Sequence, residues 1–281
     1  MSAVVFPIWN AVKEPGLLAF AINGIMFVIS SAFNTEHLFD FTGSMTYITC
    51  ALYSVYTRID GLHSLHWRQT LLTGLLVVWA LRLGVFLFYR VHKLKGDRRF
   101  AKMKKSILHF GFAWTLQAIW NIMVSLPLYV VLSLHEAQPH SLLDGVGVAM
   151  WLVGFVFEVT ADLQKLAWQV RMGDARFTTV NRTGVWALCR YPNYFGEIML
   201  QFGFWLTAIA SFSLEIPMEL GMAVSLLISP LFTAVLLLHV SGIPLQEAMA
   251  KKRFAGNKDY LDYCQSTNKL IPWFAKKLKT Q

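Results

Sequence analysis

The fold class this sequence predicts is an all-α integral membrane protein that crosses the bilayer seven times, and three observations predict it. The chain is too apolar for a soluble domain, its apolar residues gather into stretches of spanning length, and its basic residues keep to one side of those stretches. Of 281 residues, 56% are hydrophobic and 15% are charged, with a mean hydropathy of +0.48. A soluble domain carries about 25% charge, so the surplus apolar surface has to face lipid. The stretches lie near residues 16–33, 41–56, 71–89, 110–134, 146–166, 195–213 and 220–241. Each approaches the ~20 residues that cover a ~30 Å hydrocarbon core, the second being the shortest. No strand alternation suggests a barrel, so spans that satisfy their own backbone groups must be helices.

Charge placement supports that count. Lys and Arg number eight in 90–105, five in 165–190 and eight in 251–279, which is 21 of the 25 basic residues. Seven spans put all three segments on one side. The other side holds Lys13, Arg58 and Arg68 against Asp60, Glu136, Asp144, Glu215 and Glu219. By the positive-inside rule the C-terminus is cytoplasmic and the N-terminus non-cytoplasmic. The net charge of +9 is thereby assigned to topology, and no nucleic-acid partner is expected.

Along the chain, the first twelve residues carry no positive charge and no cleavable signal pattern, so the first span is expected to stay attached. Asp40, followed by Gly43 and Ser44, either caps the second helix or faces a site from its cytoplasmic end. His63 and His66 have the i, i+3 spacing of a metal pair but no nearby third ligand, and no metal site is expected. Arg82 falls mid-span, where it is either shielded by Trp79 and Trp114 or paired with a carboxylate, or has a role in the site. Three cysteines, Cys50, Cys189 and Cys264, offer neither a disulfide framework nor a zinc motif. Cys50 reads as packing, the other two as ordinary thiols near the water boundary. The whole of 1–281 reads as one membrane-embedded domain. Before Phe110 the spans hold few buried charges apart from Arg82, and after it the polar residues cluster, which makes 110–281 the candidate cofactor half.

Two polar clusters stand out in that half. Glu158, Asp162 and Lys165 share one helical stripe of the fifth span. They read either as a salt-bridge ladder ending the helix, or as the wall of a polar cavity for a ligand with ribose-like hydroxyls and phosphates. In the second case Arg171, Arg176, Arg182 and Arg190 follow in the next loop to clamp phosphate. Arg190-Tyr191-Pro192-Asn193-Tyr194-Phe195-Gly196-Glu197 then places an amide and a carboxylate at i and i+4 as the sixth span begins. A carboxylate inside a membrane helix is costly and functional by default. The bland alternative is a helix cap. No glycine-rich phosphate loop follows a predicted strand, so any nucleotide has to be held by membrane helices and loops.

Phe157-Glu158-Val159-Thr160-Ala161-Asp162-Leu163-Gln164-Lys165, Gly184-Val185-Trp186 and the Arg190–Glu197 segment together resemble the steroid 5-alpha-reductase superfamily. The closer likeness is to its branch named domain of unknown function 1295. The tail, with Val240-Ser241-Gly242-Ile243-Pro244-Leu245-Gln246-Glu247, Arg253-Phe254, Tyr260, Tyr263, Thr267 and Leu270-Ile271-Pro272-Trp273, also fits that branch. So do Phe39–Ser44 and Trp79–Leu83, and the likeness covers nearly the whole chain. It implies a seven-helix reductase whose cofactor, NADPH, enters from the cytoplasm. Carried onto this sequence, it places Asn193, Tyr194 and Glu197, and Glu158, Asp162 and Lys165, at the cofactor. Glu158 stands where the steroid reductases have Asn. The likeness further implies that Arg171, Arg182 and Arg190 take the phosphates, that Tyr260 and Tyr263 close over the nucleotide, and that Glu197 serves catalysis; no motif of the likeness places the acid at the substrate carbonyl, and Asp40, at the cytoplasmic end of the second helix, is taken for it.

The implied substrate is an enone-bearing sterol, steroid or other lipid, reduced by hydride transfer. The membrane would be the endoplasmic reticulum in a eukaryote, where the Lys-x-Lys-x-x end at 277–281 resembles a retrieval signal, or the inner membrane in a bacterium. A rival likeness is to S-adenosylmethionine-dependent methyltransferases of the isoprenylcysteine carboxyl methyltransferase type. These share an Arg-His-Pro-x-Tyr-x-Gly element and a Glu-bearing tail before Tyr-x-x-Tyr, but Tyr191 replaces the His here. A non-enzymatic lipid-binding protein is the third class.

Overall fold

The computed structural model describes residues 2–58, 65–94, 103–134, 138–213 and 215–274. Asp60, His63, Lys102, Glu136 and the end at 277–281, which figure in the charge and signal readings, lie outside them. Helices account for about four fifths of the described residues, and among these no strand ladder forms beyond one isolated bridge. The helices are α1 (Ser2–Ala32), α2 (Phe39–Arg58), α3 (Trp67–Leu94), α4 (Ile107–Leu132), α5 (Leu142–Met172), α6 (Pro192–Ile209), α7 (Pro217–Ser225), α8 (Ile228–Val235), α9 (Ile243–Arg253) and α10 (Lys258–Ser266).

Five stretches among the described residues are long and apolar enough to cross a membrane: Ile8–Ala32, Trp67–Leu94, Ile107–Leu132, Leu142–Phe177 and Pro217–Arg253. They coincide with the first, third, fourth, fifth and seventh expected spans. The second and sixth expected spans are continuous helices, α2 and α6, of 20 and 18 residues, which are not among the stretches that meet both length and apolarity. Asp40, Arg58 and a run of Thr and Ser dilute α2, while Asn193, Glu197 and Gln201 do so in α6. The seventh stretch is not one rod. A π-helical turn at Leu236–Val240 separates α8 from α9, and Pro244 stands at the start of α9, where its missing N–H costs nothing.

The chain divides into two compact units that cut across the boundary near Phe110: residues 1–145 with 204–229, and residues 146–203 with 230–281. In the first unit α1, α2, α3 and α4 pack together, and α4 is the most enclosed, with Trp114, Val124, Leu128 and Tyr129 all at most 1% exposed. Buried amides stitch this bundle, as they must where water cannot serve them. Gln117 Nε2 donates to Asn23 Oδ1 at 2.9 Å and to the Phe39 carbonyl at 3.1 Å, and Asn121 Nδ2 donates to the Gly43 carbonyl at 3.0 Å. Arg68, 3% exposed, grips Asp144 with Nε and Nη2 at 2.6 and 2.8 Å and donates to the Gln138 and Pro139 carbonyls. Arg82 lies over the Phe86 ring at 5.4 Å, and Trp79 meets Tyr47 edge-on.

The second unit is built on a glycine-lined contact between α5 and α6. A Cβ on Gly154 would stand 2.5 Å from the Leu200 nitrogen, and one on Gly196 2.6 Å from both the Glu158 nitrogen and the Gly154 carbonyl oxygen. One on Gly203 would meet the Trp151 nitrogen at 2.5 Å. Only hydrogen fits at such a backbone-to-backbone approach, the small-residue device of membrane helices. Gly147, Gly154, Gly196 and Gly203 repeat at seven residues on each helix, which keeps the seam on one face.

Candidate functional site

The glycine seam decides where the polar residues of the second unit stand. Gly196 lies against the Glu158 backbone, so the first turns of α6, with Asn193 and Glu197, abut the turn of α5 that carries Glu158 and Asp162. Glu158 is 2% exposed and Asp162 8%, which is uncommon for carboxylates and requires paired or hydrogen-bonded surroundings. Asn193, Tyr194 and Glu197 are half-buried. Gln201, 2% exposed, extends the stripe of Asn193 and Glu197 by one turn, and the sequence reading had passed over it. Lys165 Nζ lies 4.8 Å over the Trp186 ring, which brings the loop after α5 against the same stripe.

The loop between α5 and α6 is docked onto α5. Gly184, at φ +57°, adopts a left-handed backbone, and a Cβ there would collide with the Gln164 amide. That amide oxygen accepts from the Val185 N–H at 2.9 Å, and Trp186 Nε1 donates to the Ala161 carbonyl at 2.9 Å. From α10, Tyr263 donates its hydroxyl to the Trp186 carbonyl at 2.7 Å. The chain after α10 runs beside residues 188–190: the Arg190 N–H donates to the Asn268 carbonyl at 2.9 Å and the Trp273 N–H to the Leu188 carbonyl at 3.1 Å. Arg190 is thus clamped through its own backbone.

Around its side chain the tail closes a polar cluster. Arg190 Nη1 lies 3.4 Å from Glu247 Oε1 and 3.4 Å from Cys264 Sγ, and Lys269 Nζ approaches the same Glu247 oxygen at 3.3 Å. The Arg190 Nε is buried without a hydrogen-bond partner among the described residues. Tyr191 stacks on Tyr194 with centroids 5.9 Å apart and planes 9° from parallel. Burial first, then the Glu247 charge, pushes the Tyr191 hydroxyl well above its ordinary pKa. Burial likewise raises Tyr260, to about 12, and Tyr263, and raises the Cys189 thiol to about 11. At neutral pH these groups are protonated, so the cluster offers neutral donors beside the Arg190 and Lys269 cations.

The site residues expected from the sequence therefore fall into three groups. Glu158, Asp162, Lys165, Arg190, Asn193, Tyr194, Glu197, Tyr260 and Tyr263 all belong to the second unit. Arg182, in the same unit, is committed to α10, with Nη2 2.8 Å from Asp259 Oδ1 and 2.6 Å from the Asp259 carbonyl; Arg171 stands exposed in the last turn of α5. Asp40 belongs to the first unit, where it stands in the first turn of α2 and meets Arg90 at 3.3 Å. Cys189, expected near the water boundary, is fully buried. Glu247 and Cys264 were not assigned a place at the site from the sequence. Only the spacing of Glu247 before the two tyrosines pointed to it, and nothing local pointed to Cys264. Among the described residues no group of three metal-binding side chains assembles.

Residues 26–267 match the family model described as protein of unknown function DUF1295. No curated protein and no solved structure matches the sequence. A match over that much of its length means that this chain, a multi-helix protein with membrane-spanning helices, belongs to the DUF1295 family.

Proposed function

We propose that this protein is an NADPH-dependent membrane reductase that reduces the C=C bond of an enone in a sterol, steroid or other lipid. The observation that carries the reading is the glycine-enforced contact of α5 and α6, which sets the Asn193–Glu197 turn against the buried Glu158–Asp162 turn. In a dry setting these groups are suited to hold the hydroxyls and the carboxamide of a dinucleotide, and Arg190 and Arg171 to hold its phosphates. Bound NADPH supplies the hydride; the protein's part is to orient the ring, exclude water and donate a hydrogen bond where the enolate oxygen develops. Neutral phenols such as Tyr191 and Tyr260 are donors of that kind. The likeness to the steroid 5-alpha-reductase superfamily supports the same chemistry. In this reading α2 and α6 complete seven crossings, with the N-terminus non-cytoplasmic and the C-terminus cytoplasmic. The membrane is the endoplasmic reticulum or, in a bacterium, the inner membrane.

One observation favours a second reading. Arg190, Glu247, Tyr260 and Tyr263 form one cluster, and the matching elements in sequence are those shared with the isoprenylcysteine carboxyl methyltransferases. Mass spectrometry of nucleotide co-purified with the full chain separates the two. Retained NADP(H) supports the reductase. S-adenosylmethionine or its demethylated product supports the methyltransferase and removes the first reading.

A further inference from the structure

Helix α5 is longer than the bilayer it crosses. Its 31 residues measure about 46 Å at a rise of ~1.5 Å per residue, against a hydrocarbon core of ~30 Å. The surplus lies at its C-terminal end, because residues 145–157 carry no charge whereas Glu158, Asp162, Lys165 and Arg171 follow. The membrane surface therefore meets α5 near the turn of Asp162 and Lys165. Hydrogen bonds carry that level sideways through the second unit. Trp186 Nε1 donates to the Ala161 carbonyl and the Val185 N–H to Gln164 Oε1. Two residues on from Trp186, the Leu188 carbonyl accepts from the Trp273 N–H at 3.1 Å. The segment after α10 is thereby held at the height where α5 leaves the hydrocarbon.

At that height the segment leaves large apolar side chains uncovered. Ile271 is 66% exposed, Trp273 67% and Phe274 81%, three within four residues. Water gives such a patch no return, whereas the boundary between headgroups and acyl chains favours it, Trp above all for its amphipathic ring. Charge fits the same setting. Lys269 is exposed just before the patch, and the sequence continues with Lys276, Lys277 and Lys279, which lie outside the described residues. A basic flank beside aromatic side chains complements anionic headgroups.

We propose that Ile271, Trp273 and Phe274 form an interfacial anchor that inserts into the headgroup region of the protein's own bilayer. The Asn268 carbonyl and the Trp273 N–H bond the backbone of Arg190 and Leu188, so the anchored segment holds the loop that carries Arg190 from the membrane surface. The anchor rests on the membrane-spanning character of α5 and not on the reductase reading.

The test uses the full chain in vesicles of phosphatidylcholine and phosphatidylglycerol. Cys264→Ser removes the partly exposed thiol, since Cys50 and Cys189 are fully buried. On that background Phe274→Cys, Ile271→Cys and, as the control in water, Asp174→Cys are each labelled with bimane. Asp174 is exposed just past the end of α5, about 12 Å or more beyond the Gln164 turn. Quenchers are phosphatidylcholine with a nitroxide on the headgroup or upper acyl chain, and iodide in the water. Nitroxide lipid is expected to quench the labels at 274 and 271 several-fold more than the one at 174, and iodide to rank them in reverse. Labels at 274 and 271 that ignore nitroxide lipid and respond to iodide like the control overturn the anchor. Shielding from iodide that grows with the protein-to-lipid ratio, without lipid quenching, shows a second copy on the patch and also overturns it. Adding Trp273→Ser to Phe274→Cys should lower the lipid quenching; unchanged quenching means that the label alone seeks lipid, and the anchor fails. Should one cysteine variant not fold, the other carries the test.

Discussion

Gly196→Ala adds one methyl group where the structure leaves room for none. Its Cβ would stand 2.6 Å from the Glu158 nitrogen and 2.6 Å from the Gly154 carbonyl oxygen, and both neighbours are backbone that cannot rotate away. Ordinary contact needs roughly 1 Å more, so α6 has to move off α5 by about that distance. Overpacking of this kind costs about 1–3 kcal/mol, while the better helix propensity of Ala returns up to about 1 kcal/mol. With the full return the net loss of stability is about 0–2 kcal/mol. The effect on turnover is larger, since a displacement of about 1 Å between groups that share a reacting ligand can cost on the order of 10²-fold in rate. Gly145, at the start of α5, supplies the control: nothing lies within 4 Å of a Cβ there, so Gly145→Ala should be neutral or mildly stabilising. Both variants are compared with wild type for thermal unfolding in detergent and for cofactor binding. Equal behaviour of the two variants would refute the claim that the α5–α6 seam is a rigid backbone contact.

Three further outcomes are expected. Arg68→Ala leaves Asp144 buried without its cation and should destabilise the first unit by about 3–5 kcal/mol, measured as thermal unfolding; removing both charges together, with Asp144→Asn, should recover part of the loss. Stability of the second unit should be level through neutral pH and fall as pH rises from about 10 towards 12. There the unfolded chain releases protons that Tyr191, Tyr260 and Tyr263 still hold when folded, and a stability that stays flat across that window in a pH-jump unfolding experiment contradicts the buried cluster. For topology, single cysteines at Asp174 and Glu215 should be labelled from opposite faces of the membrane, and labelling of both from one face ends the seven-span arrangement.

Much of the fold was legible because lipid imposes length and apolarity on any spanning helix, and five of the stretches stand out on those grounds alone. Helices α2 and α6 do not stand out in that way, and they carry polar residues: Thr42, Thr46 and Ser54 are buried in the first unit, and Gln201 in the second. Within the candidate site, the Asn193–Glu197 spacing was readable as one helical stripe, because a period of 3.6 is local. The roles of the arginines were not. Nothing in the sequence tells that Arg182 meets Asp259 and Arg190 meets Glu247, since both partners arrive from helices about sixty or more residues away. The glycine repeat at 147, 154, 196 and 203 was present in the sequence, but its meaning depends on two helices aligning their glycines face to face.

The proposed function requires hydride transfer from NADPH at the turn that holds Asn193 and Glu197. The most direct measurement offers the purified protein an enone lipid together with NADPH deuterated at the 4-position, and follows the label into the product by mass spectrometry. The account predicts deuterium on the β-carbon for the wild type, a sharp fall in its rate for Glu197→Gln, and a raised apparent KM for NADPH in Asn193→Ala. Product formed without deuterium contradicts the reductase, and transfer at the wild-type rate in both variants removes these two residues from its site.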